Sequence, residues 1–228
     1  SPALGDLLAE WGVMNVVHND LGVDTTIFSP LPDDRTAVRA ELGIDPVRTV
    51  LLYVGRLAQE KNTQTLFEAF RLLPPGKFHL VIVGDGLQRA ELEQLRQEPS
   101  LQKAITWLPY CGEAARLAQL YRAADLFVHP GVQETFGLVT LEAQACGTPV
   151  IGIRGSYMDR IIHSDQTLWA RENSAGPLAA AIDETSREDL KRSGAAASGE
   201  VVSLYSWEQV FTRLFDLYRD VVENYRRP

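Results

Sequence analysis

Two glutamates eight positions apart, Glu134 and Glu142, are the residues most able to do chemistry in this chain. A carboxylate accepts hydrogen bonds from two vicinal hydroxyls at once. One such group in a loop and another about two helical turns further on could grip separate points of an extended polyol. Between them, the amides of Phe136, Gly137 and Leu138 open a helix, and a helix N-terminus welcomes a phosphate. The plain alternative is that Glu142 is charge on a helix surface and Glu134 a capping acid. A carboxylate pair alone favours that alternative, and the setting at the end of a strand shifts the balance toward a site.

A second segment, Gly55-Arg56-Leu57-Ala58-Gln59-Glu60-Lys61-Asn62, turns on a glycine and sets two cations five apart before a helix. Arginine offers a fork of donors and lysine a point charge, which together suit a diphosphate. Taken alone, the segment is better explained as a loop with two solvated cations, Lys61 paired to Glu60. A third, Val83-Gly84-Asp85-Gly86, follows an apolar run, and Gly84 and Gly86 permit a ligand to approach the backbone closely. It is not the dinucleotide fingerprint, because Arg89 stands at the third glycine position, and a tight strand-to-helix turn accounts for it equally well.

All three segments sit where strands should end. Val50–Val54, Phe78–Val83, Ile105–Leu108, Leu126–His129 and Pro149–Ile153 read as buried strands. Between them, 62–73, 88–97, 113–123 and 138–145 carry helical spacing. Continuous apolar strands alternating with helices mean a parallel sheet covered on both faces. The expected fold class is therefore α/β, a single Rossmann-like domain with a doubly wound parallel sheet. Such sheets bind ligands beyond the carboxyl ends of their strands. The flanks are less regular. Residues 13–17 read as a further strand, 20–34 as a Pro-rich loop, 37–42 as a short helix, and 168–170 as a strand. A helix starts at 178, and the Gly, Ala and Ser of 193–199 are expected to interrupt helices. From Trp207 the apolar spacing of Val210, Leu214, Leu217 and Val221 runs to the end, with Ser206 as N-cap.

Composition removes several function classes. The net charge of −8 argues against a nucleic-acid partner, which would need a surplus of Lys and Arg. No apolar run reaches the roughly 20 residues of a membrane span, and no secretion signal is visible, so a cytoplasmic protein is expected. Cys111 and Cys146 form no metal or redox motif. His18, His79 and His163 lack ligand spacing, and no metal site is expected. His129, at the end of a strand beside the glutamates, is at least as readily a structural histidine as a substrate contact. Trp207, Phe211, Phe215 and Tyr218 read as helix packing and Trp107 as core. The chain opens Ser1-Pro2, so it is expected to be a piece of a longer protein.

The constellation resembles the donor domain of retaining glycosyltransferases of the two-Rossmann-domain (GT-B) architecture, family 4 (group 1). That family carries two glutamates separated by seven residues, then a small-residue helix and a Gly-x-Pro-Val strand. Here these stand as Glu134-Thr-Phe-Gly-Leu-Val-Thr-Leu-Glu142 and Ala143-Gln-Ala-Cys-Gly-Thr-Pro-Val150. Gly55-Arg56-Leu57 with Glu60-Lys61, Val83-Gly84-Asp85-Gly86, and the entry Gly22-Val23-Asp24-Thr25 with Phe28 match in order and spacing. The resemblance covers about residues 13 to 220.

It implies a hexosyltransferase-type enzyme that moves a sugar from a UDP-, GDP- or ADP-sugar to an acceptor with retention of configuration. Arg56 and Lys61 would hold the diphosphate and stabilise the leaving group. Glu134 would contact the transferred sugar as a positioning residue. The amides of Phe136 to Leu138 would bind near the sugar and distal phosphate, and Glu142 would hold the ribose. Gly55, Gly84 and Gly86 would admit the donor, and Pro109 and Tyr110 would frame the base. No cofactor or metal is implied, because cations and helix dipoles neutralise the diphosphate.

Members of the family also carry an N-terminal acceptor domain, and the helix 207–227 resembles one that crosses back onto it. The chain alone is thus expected to bind donor without completing transfer. An exposed apolar face on that helix would invite self-association. Membrane contact, peripheral at the inner face, would lie in the acceptor domain. Gly155-Ser156-Tyr157-Met158-Asp159 departs from the family's Gly-Gly-x-x-Glu, and Asp165–Trp169 from its glycine-flanked loop. Rival readings are a non-catalytic nucleotide-sugar-binding module, or a sugar-nucleotide epimerase or phosphorylase-like enzyme of the same fold.

Overall fold

The β-branched and apolar runs form strands because their side chains can be buried on both faces of a sheet. In the computed structural model, which describes residues 2–31, 34–134, 136–163 and 165–225, these strands are β1 (Thr49–Val54), β2 (Phe78–Val83), β3 (Ile105–Leu108), β4 (Leu126–Val128) and β5 (Val150–Ile151). They make one parallel sheet in the order β3-β2-β1-β4-β5. All six residues of β2 are buried, as the doubly covered sheet requires. Leu51, Leu80, Ile82, Leu126 and Phe127 are fully buried at its centre, each contributing roughly 2 kcal/mol by transfer from water.

The helices are α1 (Pro2–Glu10), α2 (Asp34–Glu41), α3 (Thr63–Leu72), α4 (Arg89–Gln97), α5 (Ala114–Ala123), α6 (Leu138–Ala145), α7 (Ala175–Thr185), α8 (Leu190–Tyr205) and α9 (Trp207–Tyr225). They pair as α2 on α5, α3 on α7 and α6 on α8. The α2 pairing is electrostatic as well as apolar. Asp125 takes bonds from Arg35, from Arg39 (2.5 Å) and from the Val50 amide (2.7 Å). This carboxylate anchors α2 to the start of both β1 and β4.

The chain reverses direction across the sheet at β1. From β1 it proceeds outward to β2 and β3, then returns to β4 on the other side. The carboxyl ends of β1 and β4 therefore diverge, and a crevice opens between them.

Several expectations need correction. Residues 13–17 form no strand. Val13, Met14, Val16 and Val17 are all exposed, so the apolar residues of this segment are not buried as a strand's would be. Residues 2–10, unmarked by any sequence signal, form α1. The strand expected at 168–170 reduces to a single bridge between Ala170 and Ile153. The Gly-, Ala- and Ser-rich stretch 193–199 does not interrupt a helix but lies inside α8. A Cβ on Gly194 would stand 1.9 Å from the Gly147 carbonyl oxygen, and Ser198 bonds the Ala145 carbonyl at 3.0 Å. Small residues are there to let α8 press against the end of α6. The last helix begins as expected, the Gln209 amide bonding the Ser206 hydroxyl at 3.4 Å. Trp107 is only partly buried: its ring lies under Arg89, 4.6 Å away, and its Nε1 donates to the Gly84 carbonyl at 2.8 Å.

On α9, Trp207, Phe211, Phe215 and Tyr218 are exposed and contact one another in series, with Trp207 and Phe211 stacked at 5.4 Å. Gly22 lies beneath Trp207, where a Cβ would stand 2.6 Å from the indole. No helix among the described residues is long and apolar enough to cross a membrane. Thr135 of the glutamate motif, Pro32 and Asp33 of the Pro-rich loop, and Arg226 and Arg227 of the expected last helix lie outside the described residues.

Candidate functional site

The crevice at the strand reversal is a cavity of about 290 Å³. From β1 it takes Tyr53, Val54 and Gly55, and from the loop after β1 it takes Lys61. From beyond β4 it takes His129, Pro130, Gly131, Glu134 and the segment Phe136–Val139, while Leu21 closes one side.

Backbone conformation sets this shape. At Gly55 a Cβ would meet the Tyr53 hydroxyl at 2.9 Å, and that hydroxyl donates to the Arg56 carbonyl at 2.8 Å. Burial, then the nearby charge of Glu134, pushes the Tyr53 phenol up, so it remains a neutral donor. Asn62 adopts a left-handed conformation (φ 57°), which an asparagine tolerates. Its amide donates to the Pro130 carbonyl (2.8 Å) and to Asn173 (2.6 Å). The loop after β1 is thereby tied to the loop after β4.

Gly137 caps α6 with φ 85°, and a Cβ there would lie 2.6 Å from the Met158 sulfur. Thr140 bonds the Gly137 carbonyl at 2.6 Å. The free amides at the start of α6 are thus held at the crevice wall. Gln144, fully buried, donates to the carbonyls of Thr140 (3.0 Å) and Ile161 (2.9 Å) and accepts from the His163 amide (2.6 Å). It fixes α6 to the segment beyond β5.

Lys61 and Glu134 meet in the crevice as a hydrogen-bonded ion pair. The partner of Lys61 is thus Glu134 and not its neighbour Glu60, which pairs with Arg56 at 3.1 Å. The same Glu134 oxygen, Oε1, stands 3.5 Å from His129 Nε2. Burial works against the charge on Glu134, but bonds and charges from His129 and Lys61 outweigh it and hold the carboxyl down at about 2.

Of the residues singled out in the sequence, Gly55, Lys61, Glu134, Phe136, Gly137 and Leu138 line this cavity. The others stand apart from its wall. Arg56 is at its edge, its side chain 69% exposed and turned to Glu60. Gly84 and Gly86 lie under the loop after β1, where a Cβ would stand 2.0 Å from the Gly55 carbonyl oxygen or 2.3 Å from that of Leu57. Pro109 and Tyr110 follow β3, and Tyr110 is fully in solvent at 81% exposure. Glu142, about one turn into α6, is half-buried and accepts a 2.9 Å bond from the buried Tyr121 hydroxyl. Burial pushes its carboxyl up, and the Tyr121 bond opposes that.

Sequence reasoning missed Leu21, Tyr53 and Asn62. The αL asparagine directly before a helix was the one available signal. Among the described residues no three of His, Cys, Asp and Glu gather so as to hold a metal ion. Burial drives the Cys146 thiol up to about 12, which makes it a core filler.

The chain is similar to the D-inositol 3-phosphate glycosyltransferase of Rhodococcus opacus, with 34% identity over 215 residues, 90% of this chain and 48% of that protein. It spans about half the length of the curated relatives it matches. Among solved structures it is similar to sucrose-phosphate synthase from Thermosynechococcus elongatus, at a TM-score of 0.82 and 29% identity, covering 98% of this chain and 57% of that one. It shares its fold with HepE of Anabaena, solved in complex with UDP-glucose, at a TM-score of 0.74 and 23% identity, over 87% of this chain and 56% of that one. Residues 34–199, well over half the chain and including the crevice residues from Tyr53 to Val139, match the model of the glycosyl transferases group 1, and the chain belongs to that family.

Proposed function

We propose that this chain is the donor-binding part of a retaining glycosyltransferase, holding a nucleotide-diphosphate sugar in the crevice between β1 and β4. The observation that carries this reading is the convergence of Lys61, Glu134 and the open amides at the start of α6 on one cavity at the sheet's reversal point. A diphosphate needs cations and amide donors, and a sugar needs a fixed carboxylate. The cavity supplies both within one side-chain length.

Lys61 holds the diphosphate, and Arg56 swings in from its exposed pairing with Glu60 to join it. The α6 amides take the distal phosphate, so charge developing on the leaving group is met by groups already oriented. No metal is needed for that neutralisation. Glu134 binds sugar hydroxyls. Glu134 acts there as a positioning residue, in a front-face, retaining reaction without a general base. Glu142 holds the ribose, and Pro109 and Tyr110 lie toward the base. The acceptor is bound by a second domain, onto which the exposed stripe of α9 packs. Support also comes from HepE, a protein of the same fold that holds UDP-glucose.

The test is calorimetric titration of the 228-residue chain with UDP, GDP and ADP, then with their glucose conjugates. Saturable binding of one nucleotide, altered by the sugar, is expected. Failure of the folded chain to bind any of the three overturns the reading.

A further inference from the structure

His129 directly follows β4, and its side chain is buried against the crevice wall at 5% exposure. It has two polar atoms. Nε2 faces Glu134 Oε1 at 3.5 Å, while Nδ1 is buried with no partner among the described residues. Packing does not account for such a residue, because a buried polar atom left unpaired costs stability that a leucine of similar volume would not. The fold also makes room for the ring. A Cβ at position 131 would stand 3.0 Å from His129 Cε1, and the residue there is Gly131.

Lys61 and His129 address the same carboxylate oxygen from the segments that follow two neighbouring strands, but they are not equivalent. Lys61 reaches in on a flexible stem from the loop after β1, and a diphosphate in the crevice competes for its charge. Glu134 would then keep its burial and lose one of its two partners. His129 is fixed to the end of a strand and has no such competitor. It remains beside Oε1 when Lys61 leaves, and so limits how far the carboxylate can turn.

We propose that His129 is a positioning residue for Glu134, holding its carboxylate in the sugar-binding orientation while the donor diphosphate occupies Lys61. This rests on the reading of Glu134 as the sugar contact. It adds that the sugar, and not the nucleotide, depends on His129.

The test compares His129→Leu, which removes the donor, with His129→Gln, whose amide nitrogen can stand where Nε2 stands. Each is titrated with UDP and UDP-glucose, and the Glu134 carboxyl carbon is followed by NMR against pH without ligand, with Glu134→Gln identifying its signal. His129→Leu is expected to weaken UDP-glucose about tenfold, to leave UDP within about twofold, and to raise the Glu134 midpoint. His129→Gln is expected to recover most of the UDP-glucose affinity. An unchanged midpoint in His129→Leu overturns the role, and so does equal loss in the two variants, which would mark a packing residue. If Glu134→Gln weakens UDP-glucose no more than UDP, the sugar reading of Glu134 falls instead, and the midpoint still decides whether His129 holds the carboxylate.

Discussion

Lys61 and Glu134 are bonded to each other across the crevice, so the cation suited to a diphosphate and the acid suited to a sugar neutralise one another in the ligand-free chain. A bare nucleoside diphosphate must separate them to gain Lys61, and it offers Glu134 nothing in return. Glu134→Gln is therefore expected to tighten UDP by about two- to fivefold, the worth of a partly exposed ion pair, while weakening UDP-glucose. Opposite signs for the two ligands in calorimetry are the expected result. Equal weakening of both would mean that the pair is not what the ligand displaces.

The two cations of the loop after β1 differ in their resting contacts. Lys61 is turned inward, and Arg56 is solvated beside Glu60. If both meet the diphosphate, changing both to Met should cost the chain its preference for UDP over uridine, by at least about a hundredfold given two charge-assisted contacts. Competition binding against uridine measures this. A preference that survives the double change rules out these residues as the diphosphate clamp.

The sheet and the position of the crevice were legible in the sequence because each strand was a short apolar run, and β1, β2 and β4 are followed by a glycine or His-Pro-Gly. The pairing of Lys61 was not, because Glu60 is adjacent in sequence and Glu134 is brought near only by the β1–β4 reversal. Residues 193–199 misled for a related reason. Glycine, and more weakly serine, disfavour a helix in isolation while the three alanines between them favour one, and what Gly194 and Ser198 gain is a close tertiary contact at the end of α6. The run 13–17 looked like a strand on local pattern alone, but its apolar residues are exposed and it pairs with no strand among the described residues. Leu21 enters the crevice only because the loop carrying it is held by α8, through the Val23 amide bonding the Tyr205 carbonyl at 2.8 Å.

Glu142 depends on Tyr121 as a charged acceptor. The phenol is fully buried, its OH is 2.9 Å from the carboxylate, and burial followed by the Glu142 charge pushes the Tyr121 pKa well up, so it donates throughout the working range. Tyr121→Phe keeps the ring contacts with Phe28 and Phe127 and removes only the donor. Burial already raises the Glu142 pKa, and losing the donor raises it further. Nucleotide affinity should fall about tenfold, and on acidification it should disappear at a higher pH than in the parent. A pH profile with an unmoved midpoint would show that Glu142 does not bind nucleotide as the carboxylate.

Gly84 and Gly86 separate stability from ligand approach. Alanine at either would drive a Cβ into the carbonyl oxygen of Gly55 or Leu57, and these backbone atoms are fixed by ladder-like bonds from Gly55 to Val83 (3.0 Å) and from Leu57 to Asp85 (3.0 Å). Gly84 also has φ 140°, outside the usual range of a residue with a Cβ. Each alanine variant should lose about 2–4 kcal/mol in urea unfolding, and Gly112→Ala, whose nearest obstacle is the movable Tyr110 ring, should lose less. Alanine variants of undiminished stability would point to the ligand as the reason for glycine.

His79 gives the fold a pH dependence that is separate from the crevice. It lies on β2, is 3% exposed, and its Nε2 contacts the Thr106 hydroxyl at 2.8 Å. Burial, followed by the charges of Arg48 and Arg39, lowers its pKa from 6.5 to about 4. Between those values the unfolded imidazole carries a proton that the folded one does not. Unfolding is then favoured by acid, so stability present above about 6.5 is lost as pH falls toward 4. His163 is lowered by burial in the same direction and should leave a residual slope. His79→Gln supplies a non-titrating amide for Thr106, and its unfolding free energy in urea should fall less than the parent's between pH 7 and 4, by about 2–3 kcal/mol. Parallel curves for the two proteins would mean that β2 opens to admit a protonated ring, and that the centre of the sheet is less rigid than its complete burial implies.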